Sequence, residues 1–171
     1  DPSVTLAQVH FKPTDVVADF GAGSGFLAFA LAGMIPSGTI FAIEIQKDMV
    51  TRIAKEAEDK GVSNVKPLWG DVEILGGSGL ADSACDVIII SNLLFQLDDK
   101  KGVLIETKRV LKAGGRVLLV DWTDSWSGLG PAAHHVFTKE RAVALLTECG
   151  FTIMNESLVT GEHHYAILAN I

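Results

Sequence analysis

The run Asp19-Phe20-Gly21-Ala22-Gly23-Ser24-Gly25 is the segment whose residue types and spacing best suit chemistry. Glycines at alternate positions permit positive φ and remove each Cβ that would hold a ligand away from the backbone. A dinucleotide turn spaces its glycines G-x-G-x-x-G and sets pyrophosphate on a helix N-terminus. Here the spacing is G-x-G-x-G, and Phe26 stands where that pattern wants its last glycine. Asp19 precedes the first glycine by two residues. A carboxylate in that place repels pyrophosphate and attracts a cationic amino group. The turn therefore suits a nucleoside bearing an amino acid better than NAD. A tight turn with no ligand is the bland alternative.

Two more carboxylates fall where they could extend such a site. Glu44 closes Ala42-Ile43-Glu44-Ile45, about twenty residues past the glycines, and a carboxylate at that strand tip can accept from both ribose hydroxyls. Asp71 lies in Trp69-Gly70-Asp71-Val72. It can accept from an adenine amino group while the amide of Val72 donates to a ring nitrogen. Taken singly, Glu44 reads equally as a solvated strand-end acid, and Asp71 as a turn aspartate.

These groups converge only if the elements that carry them form one sheet. Short β-branched runs predict buried parallel strands at 15–20, 39–45, 65–69, 85–91 and 115–122. Two more are predicted at 151–158 and 163–169. Helical spacing predicts helices at 3–10, 24–34, 46–60, 99–111 and 138–149, with Ser3 a cap for the first. Thr138 and Gly150 bracket the last helix. Strand and helix alternating in this way predict an α/β fold, a doubly wound, mostly parallel seven-stranded sheet of the Rossmann-like kind. The link 159–162 is too short for a crossover, so the last two strands form a hairpin and the final strand runs antiparallel. Ligands in such sheets lie across the carboxyl ends of the strands. The segments 76–79 and 125–131 read as loops, and one domain spans 1–171.

Composition narrows the partners. The chain has 171 residues, 48% of them apolar, which suits one globular domain. A formal net charge of -7 argues against nucleic acid as the main partner. Cys85 and Cys149, without metal-ligand spacing, read as buried thiols. No apolar run reaches a membrane span, and the chain opens Asp-Pro-Ser with no signal region, so a cytoplasmic location is expected.

The chain resembles the class I S-adenosylmethionine-dependent methyltransferases, of the small-molecule type that includes the ubiquinone/menaquinone-biosynthesis and arsenite methyltransferases. The likeness rests on Val16 through Gly25, on Gly38 through Glu44, and on Gly61-Val62-Ser63-Asn64-Val65 followed by Gly70-Asp71-Val72. It continues in Asp86 through Leu94 and Arg109 through Val117, and covers roughly 13–171. The resemblance implies S-adenosyl-L-methionine as cofactor and a methyl transferred to a small molecule. Asp19, with the backbone at Gly21, Gly23 and Gly25, is expected to hold the methionine portion. Glu44 and Ile45 fall to the ribose, Gly70, Asp71 and Val72 to the adenine, and Ser91 and Asn92 to the sulfonium and its methyl.

Two departures stand out. Where many relatives carry a His-His pair, this chain has Phe95-Gln96. It also lacks the long N-terminal helical cap, which leaves the acceptor site open or covered by a partner chain, such as the second copy of a homodimer.

An antiparallel last strand begins on the rim where the parallel strands end. Candidates for the mouth of an acceptor pocket are therefore Asn92, Gln96, Asp121, Trp122 and Trp126, with the histidines 134, 135, 163 and 164 and Tyr165. Adjacent strand residues face opposite sides, so at most one of His163 and His164 points inward. No metal is expected, because adjacent histidine pairs lack ligand spacing. Asn92, Asp121 and His164 are the catalytic candidates. A thiol, arsenite or free amine acceptor needs positioning alone; a phenol or activated carbon needs a base.

Three other functions compete. An NAD-dependent oxidoreductase is disfavoured by the glycine spacing, by Asp19 and by the absence of Tyr-x-x-x-Lys. A non-catalytic cofactor-binding regulator or sensor is kept open, as a lesser alternative, by the short N-terminus and by Phe95-Gln96. A protein or RNA methyltransferase is disfavoured by Ser91-Asn92-Leu93-Leu94 where base-amino methylation uses Asn/Asp-Pro-Pro-Tyr/Phe.

Overall fold

A computed structural model of the chain describes residues 2–126 and 130–171. Strands β1 (Val16–Phe20), β2 (Thr39–Glu44), β3 (Val65–Trp69), β4 (Cys85–Ser91) and β5 (Leu111–Trp122) run parallel to one another. β6 (Thr152–Asn155) and β7 (His164–Asn170) complete a seven-stranded sheet in the order β3-β2-β1-β4-β5-β7-β6. β7 is antiparallel to both neighbours, as the short connection before it requires. The strand order reverses between β1 and β4, the switch point where open α/β sheets place their ligands.

Five helices cover the two faces: α1 (Pro2–Ala7), α2 (Phe26–Ala32), α3 (Lys47–Asp59), α4 (Lys100–Val110) and α5 (Lys139–Glu148). Alternation along each strand sorts its side chains between two cores. Val17 and Ile89 join Leu6 of α1, Leu31 of α2 and Ile53 of α3 on one face. Ala18, Phe20 and Ile90 join Val103 and Leu104 of α4 and Ala142 and Leu146 of α5 on the other. Val87 through Ile90 are 0% exposed, which is why β4 reads as an unbroken apolar run. Each such side chain contributes about 1.5–3 kcal/mol by leaving water.

Several boundaries differ from the sequence expectation for local reasons. α2 begins at Phe26, because Gly21, Gly23 and Gly25 take φ of 76°, 54° and 81° and no helix can start among them. Ser3 is inside the first turn of α1 and not a cap, since the helix already starts at Pro2. β5 begins at Leu111, directly after α4, and pairs that residue with Cys85. The next pair is Val87 with Arg116, so residues 112–115 form a bulge that contains the Gly114-Gly115 step. β6 is shorter than expected, because residues 156–158 leave the sheet for the connection to β7. Thr138 caps α5 from its side chain, and Gly150 follows the helix with φ 84°.

Burial pushes the Cys85 thiol up to about 12, an inert core group. Cys149 is only half-buried at the C-cap of α5, which corrects the expectation that both thiols are core. The predicted loop 125–131 includes residues 127–129, which lie outside the described residues. Among the described residues no helix is long and apolar enough to cross a membrane.

Candidate functional site

At the carboxyl ends of β1, β2 and β3 lies a cavity of about 310 Å³. Of the residues expected to bind cofactor, Gly21, Gly23, Glu44, Ile45, Gly70, Asp71 and Val72 line it. The glycine turn is pinned from below, because the amides of Gly21 and Ala22 both donate to the carbonyl of Ile43, each at 2.9 Å. Each glycine has its own reason. A Cβ on Gly21 would lie 2.8 Å from Cδ1 of Leu93, and one on Gly25 would press Phe29 and Ile53. Gly25 thus serves the seating of α2 and does not face the cavity. A Cβ on Gly23 would meet nothing within 4 Å. That position opens into the cavity, where a ligand would lie against bare backbone.

Gly23→Ala therefore separates folding from binding. Its cost to the fold is the left-handed strain alone, about 1–2 kcal/mol. The added methyl occupies ligand space, so cofactor affinity should fall by more than the melting temperature accounts for. Melting and calorimetric titration of the same variant check this.

Glu44 is 6% exposed and grips the turn as well as facing the cavity. Its Oε2 accepts from the amide of Gly23 and its Oε1 from the amide of Gln46, each at 2.9 Å. Each oxygen retains a lone pair, enough to accept from a vicinal diol. Asp19 is on the same sheet face, two residues beyond Val17, and is 2% exposed. Its Oδ2 is fully buried and has no hydrogen-bond partner. Burial, reinforced by the negative charge of Glu44, pushes the Asp19 carboxyl up to about 7. A buried carboxylate without a donor is costly, and a cation supplied from outside relieves that cost.

Asp71 turns back on its own loop, where Oδ1 accepts from the amide of Glu73 at 3.0 Å. Its amide donates to the carbonyl of Gly77 at 2.9 Å, and Gly70 must be glycine because a Cβ would lie 2.6 Å from that carbonyl. The loop is fastened from beneath by Glu106 of α4, which is 0% exposed. Glu106 accepts from the amides of Gly76 and Ser78 at 2.7 and 3.1 Å and from the Ser78 hydroxyl. Arg109 donates to it through Nε and Nη2 at 2.8 and 2.7 Å. Sequence reading quoted Arg109 but missed Glu106, whose position on a helix gives no hint of a partner thirty residues earlier. It also missed Gln46, Glu73, Leu93 and Leu97, which complete the cavity wall.

The residues after β4 are strained and unsatisfied. Asn92 has φ 52°, and its buried Oδ1 lacks a partner. Gln96 donates from Nε2 to the Asn92 carbonyl at 2.8 Å. Ser91 borders a separate apolar cavity of about 50 Å³, beneath α1, together with Thr5, Leu27 and Val120. Asp121 is buried and does not line the main cavity. Its oxygens accept from the amides of Trp122 at 2.8 Å and Phe95 at 3.2 Å, fixing the turn at Leu94–Gln96. Burial raises its carboxyl to about 6, against those amide bonds.

The remaining rim candidates disperse. Tyr165 is core, its hydroxyl donating to the Phe137 carbonyl at 2.8 Å. His134 and His135 are exposed, their rings tilted against each other with centroids 4.1 Å apart. The His164 ring lies 4.2 Å from Trp122, and burial lowers its pKa. His163 pairs with Asp124 and stacks on Trp126. No group of three or more His, Cys, Asp or Glu that could hold a metal occurs among the described residues.

The methyltransferase-domain family model matches residues 11–166. The ubiquinone/menaquinone biosynthesis C-methyltransferase of Burkholderia mallei is 33% identical over 130 residues, 75% of this chain and 51% of that protein. The chain thus spans about half the length of the curated relatives it matches. A SAM-dependent methyltransferase from Aquifex aeolicus superposes with a TM-score of 0.91 at 25% identity, covering 100% of this chain and 89% of the other. The PH0226 protein of Pyrococcus horikoshii shares the fold, with TM-score 0.81, 20% identity, and coverage of 99% and 88%. With its glycine turn, its strand-end acids and its sheet order all of that pattern, this chain belongs to the methyltransferase-domain family, the class I S-adenosylmethionine-dependent methyltransferases.

Proposed function

We propose that this chain transfers a methyl group from S-adenosylmethionine to a small-molecule acceptor. The observation that carries the reading is Asp19. A carboxylate with a fully buried, unpartnered oxygen beside the glycine turn calls for a cationic ligand. An α-ammonium group answers that call, and the pyrophosphate of a dinucleotide does not. The lone pairs of Glu44 suit a ribose, and Asp71 with the Val72 amide suits an adenine edge, across one cavity of nucleoside size.

When bound, the cofactor supplies an electrophilic methyl on a sulfonium. The chain's own residues then have limited work. Asp19 would hold the ammonium, Glu44 the diol and Asp71 the base, with Ser91 and Asn92 following at the end of β4. Gln96, in the turn fixed by Asp121, lines the cavity beside Leu93 and Leu97. A small acceptor is favoured by the net charge of -7 and by the activity named for the Burkholderia relative.

Parallel calorimetric titrations with S-adenosylmethionine, S-adenosylhomocysteine and NAD test the reading. Both adenosyl ligands should bind and NAD should not. NAD binding alone, or no binding of any of the three, overturns it.

A further inference from the structure

Four residues of the sheet form the floor of the apolar cavity beneath α1. Ile89 is paired with Leu118 and Ser91 with Val120 across β4 and β5, and all four line it. Leu27, two residues past the last glycine of the turn, walls it, and Thr5 and Leu6 of α1 roof it. The roof is latched from outside. The Gln8 side chain donates to the carbonyl of Val159 and accepts from its amide, each at 2.9 Å. The Thr5 hydroxyl donates to the same carbonyl at 3.0 Å. The slot so enclosed has a volume of about 50 Å³, room for about three to five water-sized groups.

This slot adjoins the carboxylate that calls for a cation. Asp19 is paired with Ile89 across β1 and β4, so both side chains rise from one sheet face, their backbones about 5 Å apart. Ser91 is on the same face, about 8 Å from Asp19 by strand spacing and rise. One amino-acid moiety can bridge that separation. Among the described residues no hydrogen bond engages the Ser91 hydroxyl, while that of Thr5 is spent on Val159. The proton acceptors stand elsewhere. Asp121 lies on the other face, its oxygens bound by amides. His164 shares the face of Ser91 but is two strands from β4, about 12 Å away, with its ring against Trp122. An alcohol or phenol would need such a base, and a charged tail would be costly against this lining. A thiol needs neither, since it loses its proton to water at about pH 8.5 and reacts as the thiolate.

We infer that the slot takes the tail of the methyl acceptor, and that the acceptor is an alkyl thiol of about three to five carbons whose sulfur lies at Ser91. The inference rests on the methyl-transfer reading above. In the step, the thiol gives its proton to water. The thiolate sulfur, accepting from the Ser91 hydroxyl, forms a bond to the methyl carbon. The bond between that carbon and the sulfonium breaks, its electron pair going to the departing sulfur. Charge balances: a thiolate and a sulfonium become two neutral thioethers.

The test uses the full chain, methyl-labelled S-adenosylmethionine and the straight-chain thiols from ethanethiol to octanethiol at about pH 9. Butanol and butylamine serve as probes with the same tail. The wild type should methylate the thiols with the highest kcat/KM between propanethiol and pentanethiol. Below the best chain, each methylene removed should cost about fourfold. Val120→Leu adds a carbon to the floor and should move the optimum to a shorter chain; Val120→Ala should move it to a longer one. Cofactor affinity should be unchanged in both. Carbon-13 methyl spectra of the protein without cofactor supply a readout apart from turnover. Butanol should give saturable shifts at Leu27, Leu118 and Val120, and bind more weakly to Val120→Leu. A chain-length profile that is flat, or that neither Val120 variant moves, overturns the inference, as does the absence of saturable shifts. So does a wild type that binds cofactor yet methylates only the amine or the alcohol, or no probe. Failure to bind cofactor at all would instead strike the methyl-transfer reading beneath it.

Discussion

Asp19→Asn should yield a more stable protein that has lost most of its hold on S-adenosylmethionine. The carboxyl rises from its ordinary 3.8 to about 7 through burial and the neighbouring Glu44. At about 1.4 kcal/mol per pH unit, ionising it inside the fold costs on the order of 4 kcal/mol. The amide keeps the volume and removes the charge but remains without a partner, a cost of about 1–3 kcal/mol. The net gain at pH 8 is therefore about 1–3 kcal/mol by chemical denaturation. The missing charge should weaken binding by about ten- to a hundredfold, the loss of one charged hydrogen bond. The sign of the pH dependence follows. A carboxyl whose folded value lies above its unfolded one binds an extra proton in the fold between pH 3.8 and about 7. Wild-type stability should fall as pH rises through that window and level off above it. In Asp19→Asn that component should vanish. Cofactor affinity should weaken below about pH 7, because the ammonium must displace a proton. Calorimetry in buffers of different ionisation enthalpy should detect the released proton. Loss of stability with unchanged affinity would make Asp19 a structural residue and sink its assignment.

Glu106→Gln should be the most destabilising of the changes discussed, although Glu106 touches no ligand. Five donors converge on this buried carboxylate, two of them from Arg109. They hold the carboxyl down at about 2, against the opposing effect of its burial. Breaking one side of a buried pair costs about 3–5 kcal/mol, which in a chain of this size lowers the melting temperature by about 10 °C. The stabilisation is in place above the ordinary 4.5 and is lost as pH falls toward about 2, so the variant's deficit should shrink in acid. Because Glu106 fastens the loop that presents Asp71, cofactor affinity should also drop. A melting temperature within experimental error of the wild type would show the network to be incidental.

Legibility in the sequence tracked locality. The glycine turn, Glu44 and Asp71 were all readable, because a strand's apolar run sets where its tip lies and topology sends the parallel tips to one rim. Gly21, where a Cβ would meet Leu93, and Gly23, which opens into the cavity, follow directly on their strand. What escaped was long-range pairing. Glu106 meets Gly76 and Ser78, and His163 meets Asp124 across 39 residues. Hydrophobic periodicity reports only whether a side chain is buried, and a glutamate on a helix face reads as solvated until the facing loop is known. Asp121 illustrates the converse. Its residue type and rim position suggested chemistry, while its oxygens are taken by backbone amides of a turn whose path the sequence does not display. The start of β5, expected at residue 115, lies at Leu111 because the strand passes through Gly114-Gly115 as a bulge.

The place of β7 has a consequence for how this chain is made. The strand that comes last in the sequence separates β5 from β6, its predecessors. During synthesis, then, β5 emerges as an open edge, and β6 follows with no strand to pair with. Neither is satisfied until residues 164–170 leave the ribosome and slot between them. Folding of this half must wait for β7 to emerge, and a nascent chain stalled before His164 would expose unpaired edges on both β5 and β6. Such a chain is the form most prone to aggregate or to engage chaperones, well before the fully folded protein offers either opportunity.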